Sequence, residues 1–244
     1  MKHLIVIPAY NEETTLPRTV ADLQVLPDTY ELLIVNDGSR DRTGDVAEEL
    51  ARSSRLPLHV VHLPFNCGIG VAVQTGFVFA ARRNVYHCVI QFDADGQHPA
   101  DAVPLLVQAC LEKGFDLCIG SRFLRSGANG FRSTWARRLG IRFFAGLISL
   151  LSGVAVTDPT SGFRCAAPKA WRQFARHYPE DYPEPESLFW CVRNKLRVGE
   201  VPVSMRPRQG GVSSIRWWRS VYYMVKVSLS ILVDRLRAVE RALT

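Results

Sequence analysis

Short apolar runs recur along the first half of the chain, each followed by a longer stretch whose apolar positions return every three or four residues. "HLIVIP", "ELLIV", "LPLHVVHL", "YHCVIQFD" and "FDLCIG" carry the short runs, rich in Val, Ile and Leu. Such near-continuous runs read as strands buried on both faces. The stretches between them, Thr14–Leu26, Asp41–Arg52, Ile69–Arg83 and Pro99–Lys113, repeat at the helical period. Strand and helix in alternation predict an α/β fold with a mostly parallel sheet flanked by helices. Neither an internal repeat nor a low-complexity tract interrupts the pattern, so one domain followed by a tail is the simplest organisation.

The tail has a pattern of its own. From Ile215 onward, Trp218, Tyr222, Val225, Leu229, Leu232, Leu236, Val239 and Leu243 follow alternating steps of four and three. Arg216, Arg219, Lys226, Arg235, Arg237 and Arg241 occupy much of the remainder. This heptad seam predicts an amphipathic helix over 213–244. Such a helix suits a homo-oligomer contact, a membrane-protein partner or the surface of a membrane. The segment Arg132–Leu151 mixes arginine and large apolar residues in the same way.

Composition narrows the partners. The chain has 244 residues and a net charge of +7, which favours an anionic partner: nucleic acid, a membrane surface or a phosphorylated substrate. The alternation of aromatic and basic residues typical of strand-binding proteins is missing, which argues against nucleic acid. Six cysteines lie far apart, without Cys-x-x-Cys or zinc spacing; they read as small core residues in a reducing compartment. The amino end carries too short an apolar run for a signal peptide, and no window reaches the roughly 18 apolar residues of a membrane span. The expectation is a cytoplasmic protein, peripheral at the inner face of the membrane.

Polar clusters follow the strands. "PAYNE" follows the first, "NDGS" the second, "FNCGIG" the third, "DADGQH" the fourth and "GSR" the fifth. In open parallel sheets ligands gather beyond the carboxyl ends of the strands, so all five clusters fall on one rim. The pair Asp93 and Asp95 places two like charges at a strand end. That arrangement costs stability unless a cation lies between them, and hard oxygen ligands suit Mg²⁺ or Mn²⁺. Later in the chain, "YPEDYPEPE" packs Glu180, Asp181, Glu184 and Glu186 into a Pro-punctuated loop before a helix. A hydroxyl that attacks as a nucleophile needs such a carboxylate to take its proton.

Together "PAYNE", "VNDGSRDRT", "DADGQHP", "GSR" and "TDPTSGFR" resemble the family 2 glycosyltransferases, inverting enzymes of GT-A fold. The resemblance is closest to the dolichyl-phosphate-mannose-synthase-like branch and runs from about Leu4 to Ser214. It implies a glycosyltransferase domain over 1–212, with a nucleotide-sugar half (1–122) and an acceptor half (123–212). Pro8, Ala9 and Tyr10 would line the base, Glu12 reach the ribose and Asp37 accept a hydrogen bond from the base imide. Asn66 and Gly68 would form the rim. Asp93, Ala94 and Asp95 would carry the metal and diphosphate, with Gln97 as helper to the metal. Arg122, and Arg206 or Arg208 of "RPRQGGVSS", would face phosphate oxygens.

In the acceptor half the resemblance points to Glu184 as base, with Glu186 in reserve and Asp158 as a further catalytic carboxylate, and to Arg164 and Tyr182 as acceptor contacts. The chain departs from the family in having Asn36 where an Asp is common, and Ile69 and Val71 where a basic residue is common. The implied activity is a metal-dependent hexosyltransferase using a UDP- or dTDP-sugar. The acidic loop tilts the acceptor toward a hydroxyl of a lipid-linked or cell-surface glycan. The alternatives are a polyprenyl-phosphate acceptor, already ionised and in no need of a base, and, outside enzymes, a basic nucleotide- or nucleic-acid-binding module.

Overall fold

The computed structural model describes residues 1–124, 135–180, 183–206, 226, 228 and 229. Arg208, Tyr182 and nearly all of the tail expected over 213–244 lie outside the described residues; positions 226, 228 and 229 are helical. The five apolar runs become β1 (Lys2–Ala9), β2 (Tyr30–Asn36), β3 (Leu58–His62), β4 (Tyr86–Gln91) and β5 (Leu117–Ser121). Every residue of β2 is buried, as a strand covered on both faces requires. Between them stand α1 (Leu16–Leu23), α2 (Thr43–Ser53), α3 (Ile69–Arg83) and α4 (Val103–Glu112). The second half adds α5 (Trp135–Ser152), β6 (Arg164–Ala166), α6 (Pro168–Phe174), α7 (Pro183–Arg193) and β7 (Val198–Pro202).

Seven strands form one sheet in the order β3-β2-β1-β4-β6-β5-β7. β6 alone runs antiparallel, between β4 and β5. β7 pairs with β5 in parallel, so strands from both halves of the chain share one sheet. Each face has its own core. Leu16, Val20 and Leu23 of α1, Ala47 of α2 and Leu106 of α4 cover one. The other is covered by Val73 and Phe77 of α3, Phe144 and Ile148 of α5, Trp171 of α6 and Leu188 of α7. The sheet is therefore wound on both sides, and the strand order reverses between β1 and β4, where such folds open a crevice.

At the opposite end of the sheet Glu31 is almost fully buried, at 3% exposure. Lys2 and the Tyr86 hydroxyl donate hydrogen bonds to it, and Arg83 stands 3.7 Å away. Burial alone pushes its pKa up, but the bonds from Lys2 and Tyr86 outweigh this and leave it below the usual value. A carboxylate lowered in the folded state contributes stability that is complete above its unfolded pKa and lost as pH falls through the folded one. Glu31→Gln should therefore cost roughly 2–3 kcal/mol at pH 7, with the deficit vanishing in acid. Thermal melts of both proteins at pH 7 and pH 3 check this; an equal gap at both would remove the electrostatic account.

Candidate active site

The reversal point holds a cleft of ≈ 360 Å³, within the range of small-ligand sites. Its walls come from the ends of β1, β2 and β4 and from the first turns of α3 and α7. Pro8, Ala9, Tyr10, Glu12, Asp37, Asn66, Gly68, Asp93, Ala94 and Asp95 all line it, together with Glu184 from α7. Ile69 and Ala72 also line it, and their apolar side chains offered no signal in the sequence. Five carboxylates thus face one cleft, with no lysine or arginine in its lining among the described residues.

Neighbouring backbone holds several of these groups. Asp37 is buried, and its two oxygens accept hydrogen bonds from the Cys67 and Gly68 amides at 2.7 and 2.9 Å. It therefore fastens the "FNCGIG" loop, and only its remaining lone pairs stay available for a base. The loop crosses directly over Gly38, whose φ is +60°. A Cβ there would fall 2.3 Å from the Phe65 carbonyl carbon, so only glycine fits. The Glu12 amide donates to the Thr43 hydroxyl at 2.8 Å, and its carboxylate accepts from Thr15.

Asp93 follows β4, whose register against β1 sets its height on the rim. Its amide donates to Nδ1 of His98 at 3.0 Å, Gln91 donates to its Oδ1 at 3.3 Å, and Nε2 of His98 stands 3.5 Å from its Oδ2. His98 is buried and stacks on Phe163 at 4.8 Å. Burial pushes the His98 imidazole down to about 4, so it is neutral at pH 7 and carries its proton on Nε2, toward Asp93. The sequence pattern did not single out His98 or Gln91; a histidine three residues after the acidic pair and a glutamine ending the apolar strand before it were the available signals. Asp95 accepts from the Gln97 amide at 3.1 Å, which makes Gln97 a backbone support of the acidic turn. Gly162 adjoins it from the β6 side, where a Cβ would sit 2.7 Å from Oδ2 of Asp93.

Among the described residues no three of His, Cys, Asp and Glu converge closely enough to cage an ion. Asp93 and Asp95 nevertheless fit a divalent cation that takes its other ligands from a substrate and water, as Mg²⁺-type sites do. The five acidic side chains supply the reason: a phosphorylated ligand enters such a cleft only with a cation to offset the repulsion.

Glu184, at the start of α7, is half-buried. Burial pushes its carboxyl up from the ordinary range; the Arg164 guanidinium opposes this and the Asp93 carboxylate adds to it. The other expected site residues among those described lie outside the cleft lining. Asp158 is fully buried and takes a bidentate pair from Arg122, at 2.6 and 2.7 Å, as well as the Arg122 amide at 3.1 Å. A carboxylate so enclosed is poorly placed to take a proton, and Arg122 is committed to it rather than turned to the cleft. The Asp158 amide is held in turn by Glu200 at 2.9 Å.

Arg164, 4% exposed, donates to the carbonyls of Pro159, Ser161 and Glu184 and to the Ser187 hydroxyl. It ties the 158–161 turn to the start of α7 and so positions Glu184; it does not line the cleft. Arg206 pairs with Asp22 on α1, while its amide donates to the Gln97 carbonyl at 2.9 Å. Glu186 is half-buried and outside the cleft lining. The six cysteines are unbridged, five of them buried, and no helix among the described residues is long and apolar enough to cross a membrane.

The sheet is doubly wound, and an acidic cleft of small-ligand size opens at its reversal point. The chain belongs to glycosyl transferase family 2, whose model matches residues 4–167, and is a glycosyltransferase. It is 33% identical to the polyprenol monophosphomannose synthase of Mycolicibacterium smegmatis, over 98% of this chain and 91% of that one. Identity to the undecaprenyl-phosphate mannosyltransferase of Micrococcus luteus is 30%, over 88% of each. These relatives place it in the dolichyl-phosphate-mannose-synthase-like branch. Its fold matches glucosyl-3-phosphoglycerate synthase from Mycobacterium tuberculosis, solved with Mn²⁺, UDP and glucosyl-3-phosphoglycerate, at a TM-score of 0.67 and 22% identity over 96% of this chain and 79% of that one.

Proposed function

We propose that the protein transfers a hexose from a nucleoside-diphosphate donor to the phosphate of a polyprenyl monophosphate, working at a membrane surface. The observation that carries this is the match along nearly the whole chain to a relative named for polyprenol monophosphomannose synthesis. Of the two acceptor readings open from the sequence, this supports the lipid phosphate over the glycan hydroxyl. Asp93 and Asp95 would hold Mg²⁺ or Mn²⁺, which when bound neutralises charge on the departing diphosphate. Pro8, Ala9, Tyr10, Glu12 and Asp37 form the nucleoside end of the cleft. His98 and Gln91 keep Asp93 turned toward the diphosphate.

In the transfer, an acceptor phosphate oxygen forms the new bond to the anomeric carbon from the face opposite the leaving group. The old glycosidic electron pair departs with the nucleoside diphosphate, and configuration inverts. The attacking oxygen is already ionised, so no residue has to remove a proton. Glu184 then serves as a wall of the donor pocket.

The test is incubation with nucleotide sugars, Mn²⁺ and a short-chain polyprenyl phosphate, followed by mass analysis of the lipid. The expected product carries one sugar and one phosphate; transfer only to glycan hydroxyls would overturn the reading. Glu184→Gln sharpens it. With a phosphate acceptor, transfer should stay within about tenfold of the parent, whereas a lost general base costs ~10²–10⁴-fold. A drop of that larger size with unchanged donor affinity would restore the hydroxyl acceptor.

A further inference from the structure

Asn36 and His62 end β2 and β3 and stand opposite each other in the parallel register. Asn36 is buried, and it immediately precedes Asp37 without itself lining the cleft. The Ser39 amide, which can only donate, meets its Oδ1 at 3.2 Å. That contact fixes the side-chain amide, so Nδ2 is turned to Nδ1 of His62, 3.0 Å away. Nδ2 can only donate, so Nδ1 is the bare acceptor nitrogen of a neutral ring. The ring proton then sits on Nε2, which faces a carboxylate oxygen of Glu48 on α2 at 3.0 Å. From Ser39 to Glu48 every donor meets an acceptor. An aspartate at 36 would break this order, because its second oxygen would demand a proton on Nδ1. It would also set a sixth carboxylate beside the five that face the cleft.

We infer that Asn36, His62 and Glu48 are positioning residues that set the nucleoside end of the cleft. The inference rests on the reading of the cleft as a nucleoside-diphosphate site and deepens it. The turn that Asn36 holds reaches two walls of that end. One is Asp37, between Asn36 and the tight turn at Gly38. The other is the "PAYNE" segment, since the Ser39 hydroxyl accepts the Asn11 amide at 3.0 Å. Asn11 takes the Arg40 amide on its side-chain oxygen at 2.9 Å in return. Its φ of +55° is a left-handed conformation that persists where surrounding contacts hold it. Tyr10 and Glu12, on either side of Asn11, line the cleft. Without an acceptor at Nδ1, the buried Nδ2 of Asn36 would lack a partner. Rotating the amide to relieve this withdraws Oδ1 from Ser39, and the turn and its bond to Asn11 loosen together. Asp93 and Asp95 keep their own supports in His98, Gln91 and the Gln97 amide. The damage should reach the nucleoside and spare the diphosphate.

The experiment is calorimetric binding of uridine diphosphate, guanosine diphosphate and inorganic diphosphate to the full chain, each with Mn²⁺. Substitutions at His62 separate the two ends of the ring. Asparagine there keeps an oxygen near the place of Nδ1, whereas glutamine reaches only toward the place of Nε2 and Glu48. The His62 side chain is 44% exposed, so both variants should fold and melt with the parent. H62Q should bind the parent's preferred nucleoside diphosphate about three- to tenfold more weakly, with inorganic diphosphate bound as before. H62N should recover most of that loss. Nitrogen NMR of the parent's His62 ring should show the proton on Nε2 and a bare Nδ1. Nucleoside-diphosphate affinity equal in H62Q and parent would overturn the inference, as would a proton on Nδ1 in the parent. So would an equal loss for inorganic diphosphate, which marks a general loosening, or an H62N as weak as H62Q. A parent that binds neither nucleoside diphosphate would overturn the donor reading itself, and this inference with it.

Discussion

Asp95→Asn is expected to abolish metal-dependent donor binding and lower transfer by on the order of 10²–10³-fold or more. Asparagine keeps the shape of the turn and one carbonyl oxygen, so the Gln97 amide retains an acceptor. What disappears is one of two carboxylates placed to share a cation, in a cleft whose lining among the described residues offers no lysine or arginine to take over. The fold should not suffer. Five acidic side chains facing one cleft repel one another in the metal-free protein, so removing a charge should leave the melting temperature unchanged or slightly higher. Titration of Mn²⁺ in the presence of nucleoside diphosphate, with a thermal melt of the same sample, checks both parts. Transfer at the parent's rate in the Asn variant would remove these aspartates from the metal assignment. A fall in melting temperature matching the loss of activity would mean that the turn is structural.

The acidic pair was legible in the sequence for the same reason that it is fragile: like charges at the end of an apolar strand demand a partner. The strands and helices of the first half were legible too, because each apolar run is long enough for its period to show, and Ile69–Arg83 emerges as α3 with those same ends. What the sequence concealed was pairing across distance. β6 has only three residues inside a turn-like segment, and nothing local tells that Arg164–Ala166 will insert antiparallel between β4 and β5. The arginines misled in a common way. Arg122 and Arg206 sit in motifs that suggest phosphate and Arg164 in one that suggests an acceptor contact, but a guanidinium binds carboxylates and carbonyls as readily. The structure gives those partners as Asp158, three carbonyls and Asp22. His98 was overlooked because its role, fastening Asp93 by a ring nitrogen, appears only once the turn has folded.

The second large effect concerns Asp158, expected from the sequence to be a catalytic carboxylate. If it were a catalytic carboxylate, Asp158→Asn would leave the fold intact and reduce transfer. The geometry predicts the reverse. Asp158 has no exposed surface, and Arg122 beside it is nearly as enclosed. Removing one member of such a pair strands the other charge in a poorly solvated site, which typically costs 3–5 kcal/mol, about. For a chain of this size that lowers the melting temperature by on the order of 10 °C. The bond from the Arg122 amide and the support from Glu200 to the neighbouring turn would loosen together, and with them the anchor that precedes Arg164 and Glu184. Below its melting transition the variant should still bind metal and nucleotide, because Asp37, Asp93 and Asp95 hold their own contacts on the far side of β6. Replacing both partners with apolar residues of similar volume, R122M/D158L, should recover much of the lost stability, since two charges no longer need burial. A variant Asp158→Asn that melts with the parent yet loses ~10²–10⁴-fold in transfer would return the carboxylate to the chemistry, and Arg122 with it.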